Sequence, residues 1–173
     1  MDLRPPRAHR SPRLARLIYV QSVDHQQYVQ WIKTTFGEPI VALRLLPSDG
    51  SPESWIETAA KGRQVERRKG TYFDEVWCMF DVSDSRSIAG LEALAKRKTV
   101  RLALGCPSFE SWLRLHFDES TLAQPLADLI PELSVEAFES RLRPGLDAAL
   151  RKSRSATGGG AIHVLVDALA TQD

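Results

Sequence analysis

Up to residue 117 the apolar residues fall in short blocks between polar, Gly- or Pro-containing breaks, and two spacings alternate. The densest block is Val76-Trp77-Cys78-Met79-Phe80, closed by Asp81. An unbroken apolar run predicts a strand buried on both faces, as in a parallel sheet covered by helices. Residues 14–20, 39–46 and 100–104 read as three further strands, the first centred on Leu17, Ile18, Tyr19 and Val20. Between them the period changes to three and four. Tyr28, Trp31, Ile32 and Phe36 mark a helix that Ser22 or Asp24 caps and Gly37 ends. Ser51-Pro52 opens a second helix with Trp55, Ile56, Ala59 and Ala60 on its apolar face. Ser85 or Ser87 starts a third, with Ile88, Leu91, Leu94 and Ala95 inward. Ser108 caps a fourth that runs through Phe117 and is apolar on most sides.

Beyond Asp118 the strand pattern stops. Residues 121–154 predict helices broken near Pro131 and Pro144, and 161–170 a short last helix after Gly158-Gly159-Gly160. Alternating strands and helices imply right-handed crossovers. The expected fold is therefore α/β: a mostly parallel four-stranded sheet flanked by helices, with a helical C-terminal extension. The expected organisation is a flexible basic arm over 1–13, an α/β domain over 14–120, and a helical extension over 121–173 packed on that domain.

Composition changes this picture little. A chain of 173 residues, 43% hydrophobic and 26% charged, suits one compact domain with tails. The net charge of +1 does not mark a bulk polyanion binder. The first sixteen residues nevertheless carry Arg4, Arg7, Arg10, Arg13 and Arg16 against Asp2, an arm that either is solvated or contacts phosphate. Two cysteines, Cys78 and Cys106, fall short of the about four ligands of a structural zinc site and read as a pair of buried thiols, with a disulfide as the alternative. No apolar run approaches the roughly 20 residues of a membrane span, and the N-terminus lacks the apolar core of a secretory signal. The cytoplasm is the expected location, with no membrane partner.

Candidate chemistry gathers where the strands end. In an open α/β sheet the carboxyl edge is where ligands bind. Asp81 and Asp84 follow the densest strand, and Glu110 follows the next one by a few residues. Clustered carboxylates suit Mg²⁺, which orients water and stabilises phosphoryl-transfer charge. The plainer reading makes Asp84 a turn or capping acid, hydrogen-bonds Asp81 to loop amides, and pairs Glu110 with Arg114 one helical turn on. His116 is either an acid, base or ligand, or a packing residue on an apolar helix. His25 lies near the same sheet edge and either joins the site or stands exposed; His163 reads as structural. The basic helix ends, including Arg67, Arg68, Lys69 and Arg97, are solvated faces or a phosphate track. Gly158–Gly160 lacks the strand and the Lys-Ser/Thr of a phosphate loop, and no Ser sits in a G-x-S-x-G elbow.

The run Val76-Trp77-Cys78-Met79-Phe80-Asp81, then Pro107-Ser108-Phe109-Glu110-Ser111-Trp112-Leu113-Arg114-Leu115-His116-Phe117, resembles the RloB family. So do Leu94-Ala95-Lys96-Arg97 and the closing Ile162-His163-Val164-Leu165-Val166. The resemblance implies a TOPRIM-like fold and a role in anti-phage defence and abortive infection, often beside a partner ATPase of AAA or ABC type. It also implies a Mg²⁺-dependent nuclease acting on DNA or RNA, including tRNA. Asp81 and Glu110 match the family pattern. Gln21 stands where the family has a Glu after the first strand, Ser83 stands at the second Asp with Asp84 displaced by one, and Cys106-Pro107 replaces Asn-Pro. The expected set is thus Asp81, Asp84, Glu110 and His116 for catalysis, Asp81 and Asp84 for the metal, and Arg67, Arg68, Lys69 and Arg97 for nucleic acid. The alternative is a catalytically degenerate domain that serves as a binding or assembly module.

Overall fold

The computed structural model describes residues 14–37, 39–121, 123–155 and 162–171. The arm over 1–13 and the Gly158–Gly160 stretch lie outside the described residues. The first part of the chain alternates as expected: β1 (Arg16–Val20), α1 (Val23–Thr35), β2 (Val41–Leu45), α2 (Pro52–Arg68), β3 (Glu75–Asp81), α3 (Ile88–Lys98) and β4 (Arg101–Gly105). Then come α4 (Phe109–Arg114), α5 (Leu126–Leu129), α6 (Val135–Arg141), α7 (Leu146–Ser155) and α8 (His163–Ala170). Local signals set the boundaries. Ser22, Ser51 and Ser108 each accept a backbone N–H three residues on. Ser51 and Ser54 complete a reciprocal cap ahead of Pro52 at the first helical position. Gly37 takes φ 80° just past α1, where a side chain would be strained.

The four strands form one all-parallel sheet in the order β2-β1-β3-β4. Alternation along each strand sorts the core into two halves. Leu17, Tyr19, Val76, Cys78, Phe80 and Leu104 pack with residues of α2 and α3 such as Trp55, Ile56, Ala59, Ile88 and Leu91. Ile18, Val20, Trp77, Met79 and Ala103 face α1, α4 and the C-terminal helices through Tyr28, Trp31, Phe109, Trp112, Phe138 and Leu165. The late helices thus share the core of the sheet, and the Trp31 indole N–H donates to Glu139 on α6 at 2.7 Å. No helix among the described residues is long and apolar enough to cross a membrane.

Three details differ from the sequence expectation. The helix from Ser108 keeps α-helical form only through Arg114; the amides of Leu115, His116 and Phe117 bond three residues back, to the carbonyls of Trp112, Leu113 and Arg114. That tightened turn fits the close approach of a neighbour, since a Cβ on Gly145 would lie 1.7 Å from the His116 carbonyl oxygen. The last helix starts at His163. Cys78 is buried, and burial pushes its thiol pKa far up. Cys106 is exposed because it falls in the turn beyond β4, not in the strand.

Candidate functional site

The strand order creates one special place. The chain leaves β1 toward β2 on one side, then returns to the other side for β3 and β4. The connections diverge between the carboxyl ends of β1 and β3, the switch point where open α/β sheets hold ligands. A cleft of about 590 Å³ opens there, and Gln21, Ser22, Asp24, His25, Asp81 and Glu110 contribute its polar wall along with Ser48 and Ser108. No Lys or Arg is among the described residues that line it.

Asp81 is the central group. It is the last residue of β3 and pairs in register with Gly105 of β4. Its backbone N–H donates to Gln21 Oε1 at 2.8 Å. Gly105 leaves room for the carboxylate: a Cβ there would lie 2.2 Å from Asp81 Oδ1. That oxygen is sealed from solvent without a hydrogen-bond partner, although the side chain as a whole keeps 31% exposure. The exposure therefore falls on the rest of the group, toward the cleft.

Facing the sealed oxygen is His25, whose Nε2 lies 3.5 Å from Asp81 Oδ1, at the outer limit of a hydrogen bond. The His25 Nδ1 is 2.7 Å from Ser22 Oγ, and the ring stacks on Phe109 at 4.4 Å between centroids. Of the two readings of His25, the structure thus supports the buried one at the site. Asp24, weighed from sequence only as a cap, also lines the cleft. Its position in the first turn of α1, directly beyond β1, was the signal that could have found it.

The other expected residues separate. Glu110 lines the cleft and also pairs with Arg114, whose Nη2 lies 2.8 Å from Oε1. Asp84 is exposed, is not among the cleft residues, and caps the turn over Ser85–Ser87. It accepts from the Arg86 amide and from Arg86 Nε, both at 3.0 Å, and these bonds hold its carboxyl below the usual range. His116 is buried away from the cleft wall among Tyr28, Trp31 and Trp112, with Nδ1 3.2 Å from the Leu113 carbonyl oxygen. Arg67, Arg68 and Lys69 end α2, which leads into the start of β3, and Arg97 sits at the end of α3, which leads into β4. Each crossover helix returns antiparallel to the strands, so these cations lie at the amino edge of the sheet. The 17 residues of α2 put about 25 Å between its two ends. Arg67 lies over the Tyr72 ring at 5.9 Å and Lys69 reaches Glu66 at 3.4 Å. His163, by contrast, bonds Ser153 Oγ at 2.8 Å within the helical tail.

His116 carries a pH consequence. Burial pulls its pKa down to about 4 from 6.5. The unfolded chain then binds a proton that the folded chain refuses, so stability is full above pH 6.5 and falls as pH drops toward about 4. The loss amounts to at most about 3 kcal/mol. Urea midpoints across that window should fall for the wild type and fall much less for His116→Gln; parallel curves would contradict the assignment.

The fold and the cleft define a parallel α/β protein with an acid held at the switch point of its sheet. The model of the RloB-like protein family matches residues 18–158, and the chain belongs to that family. Searches of curated proteins and of solved structures each found no match.

The carboxylates bear on the Mg²⁺ that the resemblance implies. Among the described residues, no three His, Cys, Asp or Glu side chains are grouped so as to hold a metal alone. Gln21 contributes no charge, and Asp84 is committed to Arg86. What remains is Asp81 in its Gly105 cradle, with Asp24 and Glu110 on the same cleft. This set does not make a closed cage. It does fit the usual mode of Mg²⁺, one or two carboxylates completed by water and substrate phosphates.

Proposed function

We propose that the chain is an RloB-like anti-phage defence protein of TOPRIM-like type whose switch-point cleft cleaves nucleic acid with a divalent cation shared with the substrate. One observation carries the reading: carboxylates following three different strands line the cleft, no Lys or Arg is among its described lining residues, and of the three acids Glu110 is paired, with Arg114 behind the wall. A phosphate chain is repelled from such a wall unless a cation accompanies it. Asp81, with Glu110 or Asp24 from the same cleft wall, would hold Mg²⁺. When bound, the ion supplies an activated water and charge stabilisation at phosphorus. Asp81 presents the exposed side of its carboxylate to the cleft, Gln21 accepts the Asp81 backbone N–H, and Ser22 and Ser108 hold the starts of α1 and α4 that border the cleft. Arg67, Arg68, Lys69 and Arg97 would guide a longer nucleic acid or a partner ATPase at the far edge, apart from the chemistry.

The purified full chain should cut DNA or tRNA in Mg²⁺ or Mn²⁺. Asp81→Ala should reduce cutting by about a hundredfold or more, whereas Asp84→Ala should leave it within a few-fold. No cutting by the wild type, together with no Mn²⁺ binding in calorimetry, would overturn the reading. A second reading, a degenerate binding or assembly module, draws on Gln21 at the family's Glu position and on Asp84 turned to Arg86. It would be the better account if Asp81→Ala left phage protection intact.

A further inference from the structure

We propose that His25 is a positioning residue that fixes the Asp81 carboxylate through Nε2–H, and that Ser22 sets the tautomer that makes this possible. The inference rests on the cleavage reading for its consequence, but not for its geometry. His25 is 4% exposed, in the first turn of a thirteen-residue helix. Its Nε2 has no hydrogen-bond partner within ordinary limits, and neither has Asp81 Oδ1; the two buried atoms face each other at 3.5 Å. A buried polar atom without a partner costs roughly 1–3 kcal/mol, so two left in opposition call for an explanation.

The proton bookkeeping supplies one. Ser22 Oγ accepts the His25 backbone N–H as the cap of α1. Its own proton is then free to donate to His25 Nδ1, 2.7 Å away. With Nδ1 as acceptor, the neutral ring carries its proton on Nε2, aimed at Asp81. The orientation of the ring is set separately, by its stack on Phe109 with planes 25° apart. The Gly105 cradle limits the carboxylate from the other side. A small tightening on ligand binding turns the 3.5 Å contact into a full hydrogen bond, as catalytic contacts often do. One carboxylate oxygen is thereby held, and the exposed side of the group is presented to the cleft. In this role His25 acts through Asp81.

Two measurements on the full chain test this. Ring ¹⁵N spectra at about pH 8, above the ordinary histidine range, should show His25 protonated at Nε2 with Nδ1 an acceptor. Ser22→Ala should weaken that preference, and Asp81→Asn should shift the Nε2–H signal. The second measurement separates kcat from KM in nucleic-acid cleavage. His25→Phe keeps a ring against Phe109 but has no N–H, and should lower kcat about tenfold or more with KM little changed. His25→Gln restores a donor near the Nε2 position and should recover most of the rate, with folding of both variants checked by thermal melting. A proton on Nδ1, or full activity in a folded His25→Phe variant, would overturn the inference. Should the wild type cut nothing, the functional reading fails, while the tautomer and its response to Asp81→Asn still decide the pairing.

Discussion

Glu75→Ala is expected to lower the free energy of unfolding by about 3 kcal/mol, the low end of the cost of breaking a buried charge pair, because Arg16 is buried while Glu75 is only partly so. Glu75 opens β3 and pairs in register with Arg16 of β1. Arg16 is only 4% exposed, and its Nε donates to Glu75 Oε2 at 2.7 Å. The Trp77 indole N–H donates to the same oxygen at 3.1 Å, and Arg101 reaches Oε1 at 2.5 Å while lying over the Trp77 ring at 4.3 Å. Removing the carboxylate leaves the Arg16 guanidinium inside the protein without its counter-charge. Partial burial pushes the Glu75 pKa up, but the bonds from Arg16, Trp77 and Arg101 outweigh it and hold the carboxyl below the usual range. Because the folded value is the lower one, this stabilisation is present above the ordinary 4.5 and is lost as pH falls through the folded value. Urea unfolding at neutral pH measures the effect. A change below about 1 kcal/mol would mean that the network behaves like a surface ion pair.

Gly105→Ala should remove the proposed cleavage activity while leaving most of the fold. The added Cβ would meet Asp81 Oδ1 at 2.2 Å, the Phe109 amide nitrogen at 2.7 Å and the Ser108 carbonyl carbon at 2.9 Å. Two of these are backbone, so the start of α4 or the Asp81 carboxylate has to move. A displacement of this kind at a reacting group costs about a hundredfold in rate. Gly90→Ala on α3 is the matched control, because nothing lies within 4 Å of its added Cβ. Cleavage rates and melting temperatures of the two variants decide the matter: an active Gly105→Ala protein would show that Asp81 need not sit where the cradle holds it.

The fold was legible because its signals were local and agreed with one another. The apolar run ending in Asp81, the serine caps at Ser22, Ser51 and Ser108, and the alternation of periods all pointed to a parallel sheet. The Glu110–Arg114 pair was legible for the same reason, since four residues along a helix are neighbours. Asp84 looked like a partner for Asp81 because the two are close in sequence. Beyond the strand, however, the backbone turns, and an acid next to Arg86 is captured as a cap. The sequence left Arg67, Arg68, Lys69 and Arg97 unplaced; the strand order and the returning crossover helices put them at the opposite edge of the sheet. The tie between His25 and Asp81 depends on ring orientation and on the space at Gly105, neither of which has a sequence period. Cys106 was misjudged by the apolar letters around it, when the turn carries it to the surface.

The most direct test of the account is a backbone-amide NMR titration of the full chain with a short single-stranded oligonucleotide, with and without Mg²⁺. With Mg²⁺, the largest shifts should fall at Gln21, Ser22, Asp81 and Glu110, and they should disappear both without the cation and in Asp81→Asn. Shifts confined to Arg67–Lys69 and Arg97 at the far edge, with the cleft unmoved, would contradict it.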